Sequence, residues 1–214
     1  VSGQNYVGVL VGQNFGNISN VLVNGLATGS ASFVGGIAGY NAGTISNSES
    51  FAGAKSADNA GGLVGLNAGS ITTSLAAGGV VSPTNHGGIA GTNSGTISAS
   101  FWDTDASGQN VAVGANSGSA LATGGCFGTT CVNGGTVNLS TATPYQNAGW
   151  DLTNTWNILA SSQSYPYLRI LFPTTPRAVR GNIDVFTSFY TDPAWGALSQ
   201  NDLNPIWSSL TKSP

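Results

Sequence analysis

Short apolar segments alternate with turns rich in asparagine and glycine through the first half of the chain, and this pattern repeats. Its reference point is a glycine at positions 12, 39, 65, 91 and 114, which recurs at a nearly constant spacing. An Asn-x-Gly sequence follows each time, in which asparagine bonds to its own backbone and glycine accepts positive φ. The asparagines are Asn14, Asn41, Asn67, Asn93 and Asn116. The pattern predicts strand, turn and strand in every repeat, with no segment that favours helix.

An isoleucine stands at the same offset in the first four repeats, as Ile18, Ile45, Ile71 and Ile97. Leucine-rich repeats have a similar length, but their closely spaced leucines are missing here, and propeller blades need about 40 to 50 residues. We therefore predict an all-β fold, a parallel β-solenoid of about five coils with the isoleucines in one interior column. Coils stacked at ~4.8 Å would bring the five asparagines into a hydrogen-bonded ladder.

Charged residues are scarce, because 5 Lys and Arg and 8 Asp and Glu make up only 6% of the 214 residues, with a net charge of −3. A chain without basic clusters is not expected to bind nucleic acid. Its apolar runs are far shorter than the ~20 residues of a transmembrane helix, so no transmembrane segment is expected. The chain has no methionine and begins inside a repeat, which indicates a processed piece or a fragment.

Aromatic residues become frequent after residue 131, where the repeats end. We predict solenoid repeats over 1–131, a terminal coil or cap over 132–172, and an extended arm over 173–214. The cap would be built from Tyr145, Trp150, Trp156, Tyr165 and Tyr167. The arm is interrupted by prolines and has little capacity to bury its own aromatics, so we expect it to dock on a protein surface, in cis or on a neighbour in a homo-oligomer or fibre. Its docking residues would be Phe186, Phe189, Tyr190, Trp195 and Trp207.

The segment 61–74, GGLVGLNAGSITTS, resembles the GLUG repeat of filamentous-haemagglutinin-like bacterial adhesins of the two-partner secretion type. Segments 100–108, 148–156 and 165–169 are similar to those that close a GLUG array, and the resemblance covers about residues 7–170. It implies an extracellular or bacterial cell-surface location. It also implies a non-catalytic structural or adhesive role, as a surface adhesin or a matrix or fibre component, with a host or cell-surface glycan as a candidate partner.

The only two cysteines, Cys126 and Cys131, are expected to form a disulfide in an exported protein. With the single His86 they are too few for a structural zinc site, and no phosphate-binding loop or nucleophile elbow occurs. We therefore expect no metal, no cofactor and no catalysis. Asp103 and Asp105 have no acidic counterparts in the other repeats, and we interpret them as an isolated polar corner.

Two alternative functions remain open. Serine, threonine and asparagine flank each interior isoleucine, which would give an uncharged hydroxyl face of the kind found in ice-binding solenoids, although the residues are mixed rather than uniformly threonine. An ice- or glycan-binding solenoid is therefore the first alternative. A polysaccharide-acting β-helix enzyme is the second, and it would need acidic residues stacked on neighbouring coils.

Overall fold

The repeats wind into parallel coils of short strands, as the computed structural model shows for residues 1–159 and 164–174. Coil 1 contains β1 (Ser2–Gly3), β2 (Val7–Gly8), β3 (Val11–Asn14), β4 (Asn17–Ser19) and β5 (Leu22–Val23). Coil 2 contains β6 (Leu26–Gly29), β7 (Val34–Gly35), β8 (Ala38–Asn41), β9 (Thr44–Ser46) and β10 (Glu49–Ser50). Coil 3 contains β11 (Gly53–Ser56), β12 (Asn59–Gly61), β13 (Val64–Asn67), β14 (Ser70–Thr72) and β15 (Leu75–Ala76).

Coils 4 and 5 have fewer and longer strands. Coil 4 contains β16 (Val80–Val81), β17 (Asn85–Gly87), β18 (Ala90–Asn93) and β19 (Thr96–Asp103). Coil 5 contains β20 (Val113–Asn116) and β21 (Ser119–Cys126). Because β19 and β21 continue through the corner at which earlier coils break, they join two rows of strands into one sheet.

Equivalent strands of successive coils pair in parallel, which confirms the predicted β-solenoid of about five coils. Three sheets have the orders β1-β6-β11-β16, β2-β7-β12-β17 and β3-β8-β13-β18-β20, and a fourth has nine strands. The register sets the four isoleucines opposite one another, from Ile18 through Ile45 and Ile71 to Ile97. Their side chains belong to one apolar core, and the last three are almost completely buried.

The interior of coil 4 also holds an indole ring. Trp102 belongs to the same core as the isoleucines, with 6% of its surface exposed. A Cβ atom on Gly88 would overlap the Trp102 ring, and one on Gly124 would lie 2.6 Å from it. The ring therefore fits inside the coil because Gly88 of the same coil and Gly124 of coil 5 have no side chain.

Two short helices occur that the sequence pattern did not predict. Helix α1 (Thr104–Ser107) begins after Asp103, whose carboxylate accepts the backbone N–H groups of Asp105 and Ala106. Helix α2 (Thr143–Asn147) has Pro144 in its first turn, where the missing N–H costs nothing. The prediction that no segment favours helix was wrong here, because the Asp103 cap stabilises the single turn of α1 without any apolar periodicity, whereas α2 has a proline in its first turn and no side-chain cap.

An aromatic-rich C-terminal segment packs against the outer flank of the solenoid. It includes β22 (Val137–Asn138), α2, β23 (Trp156–Asn157) and β24 (Tyr167–Leu168). Tyr145, Trp150 and Trp156 form a buried cluster with Leu75 and Phe101 of coils 3 and 4. The Trp150 indole donates to the Ala99 carbonyl at 2.7 Å, which attaches the segment to coil 4.

Contacts divide the chain into two units, Val1–Leu171 and Phe172–Pro214, and all the helices and strands given above belong to the first. The five proposed docking residues of the arm lie outside the described residues. They are Phe186, Phe189, Tyr190, Trp195 and Trp207.

Candidate functional site

The repeat asparagines form a continuous chain of side-chain hydrogen bonds through the coils. The Asn14 amide nitrogen donates to the Asn41 oxygen at 2.7 Å, and Asn41 donates to Asn67 at 2.8 Å. Asn67 donates in turn to Asn93 at 2.7 Å, and Asn93 to Asn116 at 2.8 Å. Every amide points the same way, so the Asn14 oxygen and the Asn116 amide nitrogen are the two ends of the ladder.

Replacing Asn67 with alanine is expected to destabilise the protein by about 2 kcal/mol, because two buried neighbours each lose a partner. Asn116→Ala is the matched control, since Asn116 is the exposed last residue of the ladder and has only one asparagine partner, Asn93. Urea unfolding of both variants measures the difference. Equal losses of unfolding free energy would contradict an interior role for the ladder.

Asp103 is a buried junction of coil 4, α1 and the C-terminal segment, so the interpretation as an isolated polar corner was wrong. One carboxylate oxygen accepts the N–H groups of Asp105 at 2.8 Å and Ala106 at 2.7 Å. The other accepts the Phe127 N–H at 3.0 Å and the Tyr165 hydroxyl at 2.7 Å. Burial, followed by the Asp103 charge, raises the pKa of Tyr165 well above its ordinary value. Four donors around one carboxylate hold three parts of the chain together.

Asp105 and the disulfide order the loop that follows β21. The Asp105 carboxylate accepts the N–H groups of Val132 and Asn133, at 3.0 and 2.8 Å. Cys126 and Cys131 are bonded to each other, with their Cα atoms 5.3 Å apart. The predicted disulfide is therefore present, and both aspartates serve the structure of this corner.

Reducing the disulfide is expected to lower the free energy of unfolding by about 2 kcal/mol, because the bond closes only a short loop. Denaturant unfolding with and without a reductant measures this loss. The double variant Cys126→Ser with Cys131→Ser should be insensitive to the reductant. A loss of the native fold on reduction would show that the loop contributes far more than chain entropy.

A carboxylic acid is buried between the solenoid flank and the C-terminal segment. Glu49 shares a column with the apolar residues Leu22, Leu75 and Phe101 of the other coils. It is 1% exposed, and among the described residues its Oε1 has no hydrogen-bond partner. Burial raises the pKa of Glu49 well above its usual value, and burial followed by the charges of Glu49 and Asp103 raises the pKa of Tyr145. The site therefore favours the neutral acid.

The remaining chemistry-bearing residues are engaged locally. His86 lies on β17 with its Nδ1 2.9 Å from the Ser82 carbonyl oxygen. Within residues 1–159 and 164–174, no three His, Cys, Asp or Glu side chains lie close enough together to hold a metal ion. In the same residues, no helix has the length and apolar character that a membrane span needs.

Four aromatic side chains form a patch on coils 1 and 2, which we call the aromatic patch: Tyr6, Phe15, Phe33 and Tyr40. Tyr6 and Phe33 stack with ring centroids 5.4 Å apart and planes 7° apart. Tyr40 joins them, 5.7 Å from Tyr6 and 5.8 Å from Phe15. Phe15 is 71% exposed, and none of the four belongs to a buried core cluster.

The later coils serve as an internal comparison for this patch. The position of Tyr6 and Phe33 is occupied by Asn59 and Asn85 in coils 3 and 4, where the two amides are bonded at 2.8 Å. Tyr6 and Phe33 adopt left-handed backbone angles, with φ of 51° and 58°, which are costly for bulky residues. The solenoid therefore does not require aromatic residues here. Left-handed angles also occur at Asn20, Asn47, Thr73 and Ala99, so they are not specific to the aromatic patch.

The sequence pattern did not predict the aromatic patch or the buried position of Glu49. Tyr6 and Phe33 stand one repeat apart, so aligning the repeats beyond the Asn-x-Gly motif would have revealed the stack. Aligning them would also have set Glu49 in a column of apolar residues.

No family model, curated protein or solved structure matches this chain.

The hydroxyl face lies in register along the fourth sheet. Residues 17, 44, 70, 96 and 119 form one column, and residues 19, 46, 72, 98 and 121 form the other. The second column ends on the exposed apolar side chain of Leu121. The face is uncharged but chemically mixed, since each column contains both serine and threonine together with one residue of another type.

Proposed function

We propose that this chain is a non-catalytic extracellular protein with a structural or adhesive role, as a surface adhesin or a matrix or fibre component. The observation that carries the proposal is the aromatic patch, in which Phe15 is 71% exposed and the position of Tyr6 and Phe33 is filled by asparagine in coils 3 and 4. A rigid scaffold that presents aromatic side chains is suited to contact, since aromatic residues supply large contact area at low entropic cost.

The hydrogen bonds of the acidic and histidine side chains support a non-catalytic role, because these side chains are bound to structural partners. The buried Asp103 carboxylate is occupied by four donors. Asp105 is bound to two loop N–H groups, and His86 lies against a backbone carbonyl. Stacked carboxylates of the kind used by polysaccharide-acting β-helices would require acids at equivalent positions, and the partners of Glu49 in its column are apolar.

The disulfide supports an extracellular location. Disulfides persist in oxidising compartments and are rare where glutathione and thioredoxin keep thiols reduced. The Cys126–Cys131 bond lies in a loop whose other contacts are mainly hydrogen bonds to aspartate, so an oxidising environment preserves the order of this corner.

A glycan-binding role is the second candidate, and the aromatic patch is the observation that favours it over ice binding. Sugar rings present apolar C–H faces that stack on aromatic rings, while their hydroxyl groups bond to tyrosine and amide groups. Tyr6 and Tyr40 supply hydroxyls, and Gln13 lies opposite Tyr40 on the adjacent strand. These side chains are uncharged, which suits a neutral saccharide.

The test measures binding of the complete chain to a glycan array and to immobilised cell surfaces. Phe15→Ser combined with Tyr40→Ser is expected to reduce binding at least about tenfold, which corresponds to loss of ~1.4 kcal/mol. Leu121→Ser is the matched control, because it removes an equally exposed apolar side chain from coil 5. Unchanged binding by the double variant would refute the aromatic patch as the contact, and shortened polysaccharide products would refute the non-catalytic role.

A further inference from the structure

Within residues 1–159 and 164–174, no strand pairs with the outer edge of coil 1, at one end of the solenoid. Each of its five strands, from β1 to β5, is the last strand in its row of paired strands. Free parallel edges expose backbone groups that can pair with an added strand. Coil 1 can therefore pair with a whole additional coil rather than with a single strand.

The hydrogen-bonding groups on this edge follow the pattern of the repeat. In coils 2 to 5, the residue after the ladder asparagine donates its N–H to the ladder asparagine carbonyl of the preceding coil, as Ala42 does to Asn14 at 2.8 Å. Thr44 likewise donates to Gly16 at 2.8 Å. The equivalent donors in coil 1 are the N–H groups of Phe15 and Asn17, and both lie on the free edge. The Asn14 side-chain oxygen likewise receives no amide from another asparagine among the described residues.

Apolar side chains at the same edge are incompletely covered. Val9, Val11, Ile18 and Val21 pack on the core but are only partly buried, whereas Ile45 and Ile71 in the next coils are fully buried. Leu10 and Leu26 of coils 1 and 2 are also 48% and 55% exposed. The terminal repeat of a solenoid needs a polar outer face, whereas coil 1 leaves apolar side chains partly uncovered in the described part of the chain.

The opposite end is partly covered by the chain itself. The Gln109 side chain donates to the Val80 carbonyl on the edge of β16 at 2.9 Å. Strand β22 pairs with the end of β21, at Gly125 and Cys126. In the described part of the chain, β16, β17, β20 and the first half of β21 have no further strand beyond them at that end.

We propose that the edge of coil 1 is a docking surface for one further β-coil of the same Asn-x-Gly repeat. Its ladder asparagine would donate to the Asn14 side-chain oxygen, and its backbone carbonyls would accept the N–H groups of Phe15 and Asn17. An apolar residue in the isoleucine position would cover Ile18. The edge of coil 1 is complementary to a coil of this repeat in particular, because its N–H donors, the Asn14 oxygen and Ile18 are spaced as they are in every repeat. A second copy docking by its own coil 5 fits less well, since β22 and the loop after β21 cover part of that end.

The experiment adds such a coil to the full chain. A copy of residues 54–79 is placed directly before Val1, so that the copied Asn67 precedes Asn14 by the same spacing at which Asn67 precedes Asn93. The matched control carries the same extension with Ile71→Asp and Asn67→Asp in the copy only. Hydrogen exchange of the segment containing Phe15 and Asn17 is measured in the parent, the extended chain and the control.

We expect exchange of this segment to slow by more than about tenfold in the extended chain, with the added residues also protected and the thermal midpoint raised. The control should exchange like the parent. Unprotected, protease-sensitive added residues would overturn the proposal. Light scattering of the unextended chain provides a second test. Concentration-dependent oligomers that disappear on extension would show that a second copy occupies the edge, and would also overturn it.

Discussion

Glu49→Leu is expected to raise the free energy of unfolding at pH 8 by about 1 to 4 kcal/mol. The side chain lies in a column of apolar residues and is almost completely buried under the C-terminal segment. Its Oε1 has no hydrogen-bond partner among the described residues, so ionisation there is unfavourable. Leucine matches the residues of the neighbouring coils, Leu22 and Leu75, and should fill the same position.

The contribution of Glu49 to the free energy of unfolding should fall as the pH rises. Because burial raises the folded-state pKa of Glu49, its contribution to stability is complete below the ordinary value of 4.5 and is lost as the pH rises toward the raised pKa. Glu49→Gln keeps the shape and removes the titration. Urea unfolding of the native protein and this variant between pH 4 and about 9 measures the difference. Parallel stability curves for the two proteins would contradict a buried neutral acid.

Asp103→Ala is expected to destabilise the protein by about 3 to 5 kcal/mol, the range for removing one partner from a buried charged network. The substitution leaves the Tyr165 hydroxyl and three backbone N–H groups without their acceptor. It should loosen α1, the disulfide loop and the C-terminal segment together, because all three bond to this carboxylate.

Asp105→Ala is the matched control for this prediction. Asp105 is partly exposed, and its carboxylate accepts two loop N–H groups and, at 3.5 Å, the Thr104 hydroxyl, so its loss should cost about 1 kcal/mol. Thermal unfolding gives the stability of both variants, and near-ultraviolet circular dichroism reports on the tryptophans of the C-terminal segment. Equal losses in the two variants would contradict a junction at Asp103.

The C-terminal segment packs the aromatic side chain of Tyr165 against a corner of the solenoid. Tyr165 bonds to Asp103 and also contacts Phe51 and Phe127, with ring centroids 5.6 and 4.9 Å away. One tyrosine thus links coil 2, coil 4 and the disulfide loop. The burial of Glu49 follows from the same packing, since the segment covers the flank where Glu49 lies.

The sequence by itself determined the coil architecture, because the Asn-x-Gly turn repeats at nearly constant spacing. Stacking at that spacing leaves one arrangement in which Ile45, Ile71 and Ile97 face inward and the asparagines meet. It also indicated the disulfide, since the chain has only two cysteines. These features depend on local turn chemistry and on periodicity, both of which can be seen in a single chain.

Only the tertiary structure decided what Asp103, Glu49 and the aromatic patch do. Asp103 meets Tyr165 from a distant part of the sequence, and no periodic pattern connects those two positions. Glu49 is buried by a segment that follows the repeats, so its environment cannot be deduced from its own coil. Tyr6, Phe33 and Tyr40 are brought together by the stacking of coils, while the left-handed backbone of Tyr6 and Phe33 depends on the packing around their corner. Non-repeating contacts of this kind arise from packing between distant parts of the chain, which local propensity does not encode.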